Sequence, residues 1–245
     1  MVDFQVDLDN CDRELIHIPG QIQSHGFLIA IDKSGIIRFL SENICNFMDC
    51  TAPDFLGKSL QSLQLAMGST EELDAILALL TSKERKGNIP QINPHRITIG
   101  SVIYHLIISR SGEYLLLEFE PATLTAQLDI HKVGSREINK IASFKDLHFV
   151  MGRSVKQVKE IIRYDRVMIY RFAEDGHGEV MYEAKNDDLV PWVGLHYPAS
   201  DIPRQAREMY KINLTRQIVD VNSTPSKIIT DIPNAEPLDL TNAQQ

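Results

Sequence analysis

Residues 26–40, GFLIAIDKSGIIRFL, decide the fold class. Two apolar runs, 26–32 and 36–40, flank Lys33-Ser34-Gly35, a turn in which glycine can take positive φ, so the stretch predicts an antiparallel hairpin. Just beyond it, SENICNFMDC places Ser41 to cap a short helical segment whose Ile44, Phe47 and Met48 share a face. Ser69-Thr70-Glu71-Glu72 opens a second helix, with Leu73, Ile76, Leu77 and Leu80 at i, i+3, i+4 and i+7 and an end near Gly87. From Arg96 the pattern returns to β, because RITIGSVIYHLIIS and YLLLEFE are rich in Ile, Val and Tyr and are separated by Arg110-Ser111-Gly112-Glu113. Strands, helices and strands again make an α+β unit that ends near residue 122.

A second unit comes next. After a polar connector at 122–134, Ile138, Ile141, Phe144, Val150, Met151, Val155, Val158 and Ile161 recur at helical spacing. RVMIYRF (166–172) and EVMYEAK (179–185) read as strands joined by a turn that contains Gly176 and Gly178. Asp201 stands where it would cap a helix running to about Asn213, with Pro203 in its first turn. The stretch from Asn222 onward holds three prolines and one short apolar run, which predicts a loop that closes nothing.

Composition narrows the function classes. The chain has 245 residues, a net charge of −8, 43% hydrophobic and 24% charged residues and a pI near 5.5, as an ordinary globular protein does. It has no run of Lys or Arg to hold nucleic acid through its phosphates. The longest uncharged apolar stretch, 97–108, is about half of the roughly 20 residues that a bilayer requires, so no membrane is expected. The acidic N-terminus, MVDFQVDLDNCDRE, is unlike a secretory signal, which points to the cytoplasm. Cys11, Cys45 and Cys50 form neither a CxxC pair nor an even set. Cys11, His17 and His25, spaced C-x5-H-x7-H, match no common zinc pattern, so no metal is expected. Both histidines are expected to hydrogen-bond locally and shape the N-terminal arm.

Two regions are specific. CDRELIHIPGQIQSHGFLIAID (11–32), and YDRVMIYRFAEDGHGEVMYEAK (164–185) with LHYPASDIPRQAREMY (195–210), resemble the PAS and GAF domains of phytochrome photoreceptors, in the bacteriophytochrome branch that carries biliverdin. The resemblance is weak over 122–162. It implies an α+β chain with a PAS domain followed by an incomplete GAF domain, each an antiparallel sheet flanked by helices. The arm with the attachment cysteine would occupy 1–14, the PAS domain 15–122 and the GAF domain 123–245.

The resemblance also implies a site. Cys11 stands where the family bonds its bilin, and no cysteine follows Cys50, which favours biliverdin over more reduced bilins. Asp201, followed by Ile202 and Pro203, would face the pyrrole N–H groups of this linear tetrapyrrole. Tyr170 and Tyr197 would lie near the ring that isomerises, Tyr210 near a propionate, and Arg216 would fork onto a propionate. Without the resemblance the same residues read as a surface thiol, a helix cap, core aromatics and a solvated arginine. Light-driven isomerisation would then signal to PHY and histidine kinase modules, making the intact product a two-component receptor, with a homodimer left open.

The resemblance also implies limits. The family's arm threads a GAF loop with the residue matching Ile22 as the plug; that loop would start near Asn222 and be cut at Gln245, so the lasso is expected not to close. The second propionate arginine, pocket histidines and kinase have no counterpart, so no enzyme activity is expected, and weak bilin retention with self-association is. Two other classes remain: a small-molecule-binding or dimerising PAS-GAF module without photochemistry, and a thiol enzyme using Cys11 and His17, for which no orienting third group is visible.

Overall fold

The computed structural model describes residues 13–48, 51–67, 93–122, 146–213 and 215–244. The helix expected from Ser69, the positions Ile138, Ile141 and Phe144, and Cys11 and Cys50 lie outside the described residues. The chain divides into two compact units, Met1–Thr123 with Glu208–Gln245, and Leu124–Arg207.

The first unit is built on a seven-stranded antiparallel sheet. In chain order its strands are β1 (Gln21–Ile22), β2 (Phe27–Ile31), β3 (Ile37–Ser41), β4 (His95–Ile99), β5 (Val102–Ser111), β6 (Tyr114–Pro121) and, much later, the strand Ser226–Thr230, here β10. Their spatial order is β1-β10-β3-β2-β6-β5-β4. The β2–β3 hairpin forms as expected, with Gly35 at φ 76. Asp32 staples its turn, accepting from the Ser34 amide at 2.8 Å, the Ile36 amide at 3.1 Å and Arg38 Nε at 2.8 Å.

Three local expectations change. Ser41 ends β3 and makes no side-chain cap; its Oγ accepts from the Leu28 amide at 3.0 Å, and a 3-10 turn, Glu42–Asn46, follows. The run expected as one strand from Arg96 splits into β4 and β5, because Gly100, at φ 59, lets the chain reverse. The stretch from Asn222 closes the unit. Its prolines flank the strand, so Ser226–Thr230 is free to pair with β1 on one side and β3 on the other.

Both faces of this sheet are covered. One face packs Phe27, Ile29, Leu106, Leu117 and Phe119 against Ile44 of the 3-10 turn and Leu63 of the helix α1 (Leu60–Met67), with the Phe27 and Phe119 rings stacked at 4.6 Å. The other face, Ile22, Leu28, Ala30, Phe39 and Leu116, is capped by Leu238, Leu240 and Ala243 from the closing stretch. Hydrogen bonds fasten that cap. The Leu240 amide donates to the His17 carbonyl at 2.7 Å, the Gln244 amide to Glu118 Oε2 at 2.8 Å, and Asn242 Nδ2 to the Arg110 carbonyl at 2.9 Å. Ile22, the expected plug, is thereby 2% exposed. A loop expected to stay open therefore meets the arm after all, because β10 satisfies backbone groups of both β1 and β3.

The second unit is a three-stranded antiparallel sheet, β7 (Arg166–Phe172), β8 (Gly178–Lys185) and β9 (His196–Tyr197), in that spatial order. The helix α2 (Leu147–Ile162) packs on β7 and β8. Asp146 caps α2 by accepting from the His148 amide at 2.9 Å, and Arg163 ends it in the left-handed region at φ 56. Val155 and Val180 are buried, while Leu147, Phe149, Val158, Ile162 and Met168 are exposed.

Leu240→Ala should lower the stability of the first unit by about 2–5 kcal/mol, the cost of a core cavity. The shift in urea midpoint measures it, with exposed Val221→Ala as the control, expected within about 0.5 kcal/mol of the parent. The Asp32 carboxyl gives a pH test. Burial by itself would raise its pKa, but the Arg38 hydrogen bond and the Ile36 and Ser34 amides outweigh burial and hold it below its ordinary 3.8. The unfolded chain therefore binds the proton first, and stability fully present above that value is lost as pH falls through the depressed one. Asp32→Asn should flatten that limb of a stability against pH curve.

Candidate functional site

The second unit gathers aromatic side chains on one face. Tyr170 and Phe172, two residues apart on β7, share a side of the sheet, and their rings meet edge to face with centroids 5.2 Å apart. Register then matters. A one-residue shift between Ile169 and Tyr170 pairs Tyr170 with Val180, Phe172 with Gly178, and leaves Tyr182 against α2, where it touches Gly152 and hydrogen-bonds His148. The Tyr170 ring crosses directly over Gly178, and a Cβ there would collide with its Cζ, Oη and Cε1. Tyr197 pairs with Gly178 from β9, which brings its ring to 6.1 Å from that of Tyr170. Gly178 is thus the floor on which two tyrosines meet.

Asp201 supplies the charge. The segment before it turns back on itself, the Asp201 amide donating to the Pro198 carbonyl at 3.1 Å. The expected helix, α3, runs Arg204–Ile212, and the Pro203 carbonyl accepts from the Ala206 amide at 3.0 Å and the Arg207 amide at 3.2 Å. Pro203 therefore holds the cap position, and Asp201 lies two residues outside it, too early to cap. Its carboxylate stays exposed and acts on Tyr170. Burial pushes the Tyr170 hydroxyl above its ordinary 10.0, the Asp201 charge and then Tyr197 push it further, and the Arg207 guanidinium opposes them.

The other candidates are placed as follows. Ile202 and Pro203 are half-buried beside Asp201 in sequence, and Tyr197 is half-buried. Tyr210 and Arg216 belong to the first unit by contact. Tyr210 is 48% exposed; Arg216 is engaged by its own unit, with Nη1 2.6 Å from Met209 Sδ and Nη2 donating to the Leu240 carbonyl at 3.5 Å. Cys11 lies outside the described residues. His25 does not bond locally but pairs with Glu120 on β6, Nε2 to Oε1 at 3.2 Å. Among the described residues no cluster of His, Cys, Asp and Glu could hold a metal ion, and no helix is long and apolar enough to cross a membrane.

Sequence reading missed Phe172, Gly178 and Arg207. The signal for Phe172 was period two from Tyr170, and for the others the Gly-x-Gly of the β7–β8 turn facing an arginine of the next helix. The second unit also holds a hollow of about 960 Å³ between α2 and β8, lined by Phe149, Val155, Met181 and Tyr182 among others, and none of the described candidates lines it. Its size alone does not make it the site, because Asp201 and the Tyr170–Phe172–Tyr197 rings are elsewhere.

Comparison with known proteins accords with this fold. A family model described as a PAS fold matches residues 11–122. The chain is 34% identical over 254 residues to cyanobacterial phytochrome B of a Nostoc species, covering 98% of this chain and 32% of that protein. It is 34% identical over 225 residues to a bacteriophytochrome of Pseudomonas aeruginosa, covering 91% and 30%. Among solved structures, the wild-type chromophore-binding domain of Stigmatella aurantiaca phytochrome P1 superposes with a TM-score of 0.81 at 31% identity, over 96% of this chain and 78% of that one. The fold is thus similar to that of phytochrome chromophore-binding domains. The chain belongs to the phytochrome family. It spans between about a fifth and a third of the length of the curated relatives it matches.

Gly178→Ala should force the Tyr170 ring off its floor, at a cost of about 1–3 kcal/mol. In a Tyr170→Ala background the same change should cost much less, and urea melts of the four proteins read the difference.

Proposed function

We propose that this chain is the photosensory segment of a red/far-red light receptor, and that it holds a biliverdin-type bilin covalently through Cys11 in a GAF-type second domain. Family membership supports the class, and relatives whose names describe bacteriophytochromes and their chromophore-binding domains favour the pigment. The single observation that carries the reading is the Tyr170–Phe172–Tyr197 face with the Asp201 charge acting on it.

The donor set fits such a group. A bilin offers pyrrole N–H groups to acceptors, a flat conjugated face to aromatic rings, and propionates to cations. Asp201 supplies a negative acceptor, and Tyr170, Phe172 and Tyr197 supply apolar area with hydroxyl tips on the two tyrosines. Ile202 and Pro203 extend the same segment, while Tyr210 and Arg216 carry the polar and cationic groups that suit carboxylates. Bound, the bilin would supply light absorption and double-bond isomerisation; the chain would supply the tether, the charge and the orientation. In the intact protein the conformational output would pass to PHY and histidine kinase modules in the cytoplasm, with no catalysis by this segment.

The test is to mix purified protein with biliverdin, denature it, and look for zinc-induced fluorescence on the protein band. Wild type should fluoresce and Cys11→Ser should not. Pigment that stays bound to Cys11→Ser after denaturation would refute the tether, and a colourless wild type would favour a binding module without photochemistry.

A further inference from the structure

The arginine in the first turn of α3 that opposes Asp201 at Tyr170 also places its guanidinium at the junction of three segments. Arg207 is half-buried, and its Nη1 donates to the Gly176 carbonyl at 2.7 Å and to the Ala199 carbonyl at 3.5 Å. Gly176 belongs to the β7–β8 turn and Ala199 to the segment that presents Asp201. The guanidinium also stands 5.9 Å from the centroid of the Phe172 ring, within cation–π range. It packs closely: a Cβ on Gly176, itself at φ 89, would lie 2.7 Å from Nη1 and 3.1 Å from Cζ and Nη2. The two glycines of Asp175-Gly176-His177-Gly178 therefore make two different clearances, one for Arg207 and one for the Tyr170 ring.

We infer that Arg207 is the positioning residue of this site: by bridging the Gly176 and Ala199 carbonyls it holds the Asp201 segment against the Tyr170–Phe172 face. This deepens, and rests on, the chromophore-holding role proposed above. The chemistry favours arginine. One guanidinium nitrogen, with two fixed N–H donors, serves both carbonyls while the planar group stays within range of the Phe172 ring, whereas a lysine ammonium, though it too has several donors, is a point charge on a flexible stem with no planar face. Arg207 also balances Asp201 electrically, since at Tyr170 the two charges act in opposite senses. Losing the bridge should do more than remove a positive charge: it should let Asp201 drift from Tyr170 and weaken their coupling.

That coupling is measurable without pigment. The titration midpoint of Tyr170 is followed by NMR of ring-labelled tyrosine, assigned with Tyr170→Phe, in the parent, Asp201→Asn, Arg207→Gln, and the double variant. In the parent background Asp201→Asn should lower the midpoint, because it removes a charge that pushes the Tyr170 hydroxyl up. In the Arg207→Gln background the same change should move it by less than half as much. Arg207→Lys, which keeps the charge, is the second background should Arg207→Gln not fold, and it too should reduce the Asp201 effect. An Asp201 effect of equal size in the parent and in either Arg207 background overturns the inference. With biliverdin added, Arg207→Gln should blunt or shift the visible band of the holoprotein relative to the parent, and an unchanged band also counts against the inference. A parent that takes up no biliverdin defeats the proposed function, while the apoprotein titrations still decide whether Arg207 positions Asp201.

Discussion

Strand β2 is buried along its whole length, Phe27 to Ile31, and a strand with no exposed face needs a cover on each side. One cover comes from nearby sequence, the 3-10 turn and α1. The other comes from Leu238, Leu240 and Ala243, some two hundred residues away along the chain. Much of the first unit answers that demand. β10 must lie beside β3 to bring its following stretch over the sheet, the arm must lie beside β10 to pair its outer edge, and Ile22 becomes a core residue as a result. Each large apolar side chain so buried, Ile22, Leu238 and Leu240 among them, contributes about 1.5–3 kcal/mol relative to exposure.

The second unit works by clearance rather than by bulk. Among the described residues its buried apolar anchors are Val155 and Val180, and its order at the aromatic face depends on two glycines that leave room for a phenol ring and a guanidinium. The shift in register at Tyr170 and the opposite leanings of Asp201 and Arg207 then set the polarity of that face. A conjugated ligand meeting it would find rings, one negative charge and a hydroxyl that resists ionisation.

What the sequence made legible was what short-range rules govern. The β2–β3 hairpin, β7 and the β7–β8 turn come from alternation and from glycine at positive φ, and the family resemblance drew attention to Tyr170, Tyr197 and Asp201. Long-range pairing was not legible. SKIIT at 226–230 is a short run among prolines, and its strand character comes from partners at Gln21 and Leu40 that no local window contains. The same holds for Ser41, whose hydroxyl had a local use as a cap and a tertiary use at the Leu28 amide, and the tertiary one won. Asp201 failed as a cap for a stereochemical reason: Pro203 fixes where α3 begins. For Arg207 the Gly-x-Gly of the β7–β8 turn signals room for a large group, but a carbonyl bridge gives no sign in charge or spacing of which residue fills it.

The PAS match ends at residue 122, and that seam is a boundary in the linear order of residues alone, because contacts return Glu208–Gln245 to the first unit. An investigator who split the gene at that seam would express a sheet missing its own lid, and would send the lid away on the other fragment. A workable division of this molecule is discontinuous, with the residues of the smaller unit inserted between two stretches of the larger one.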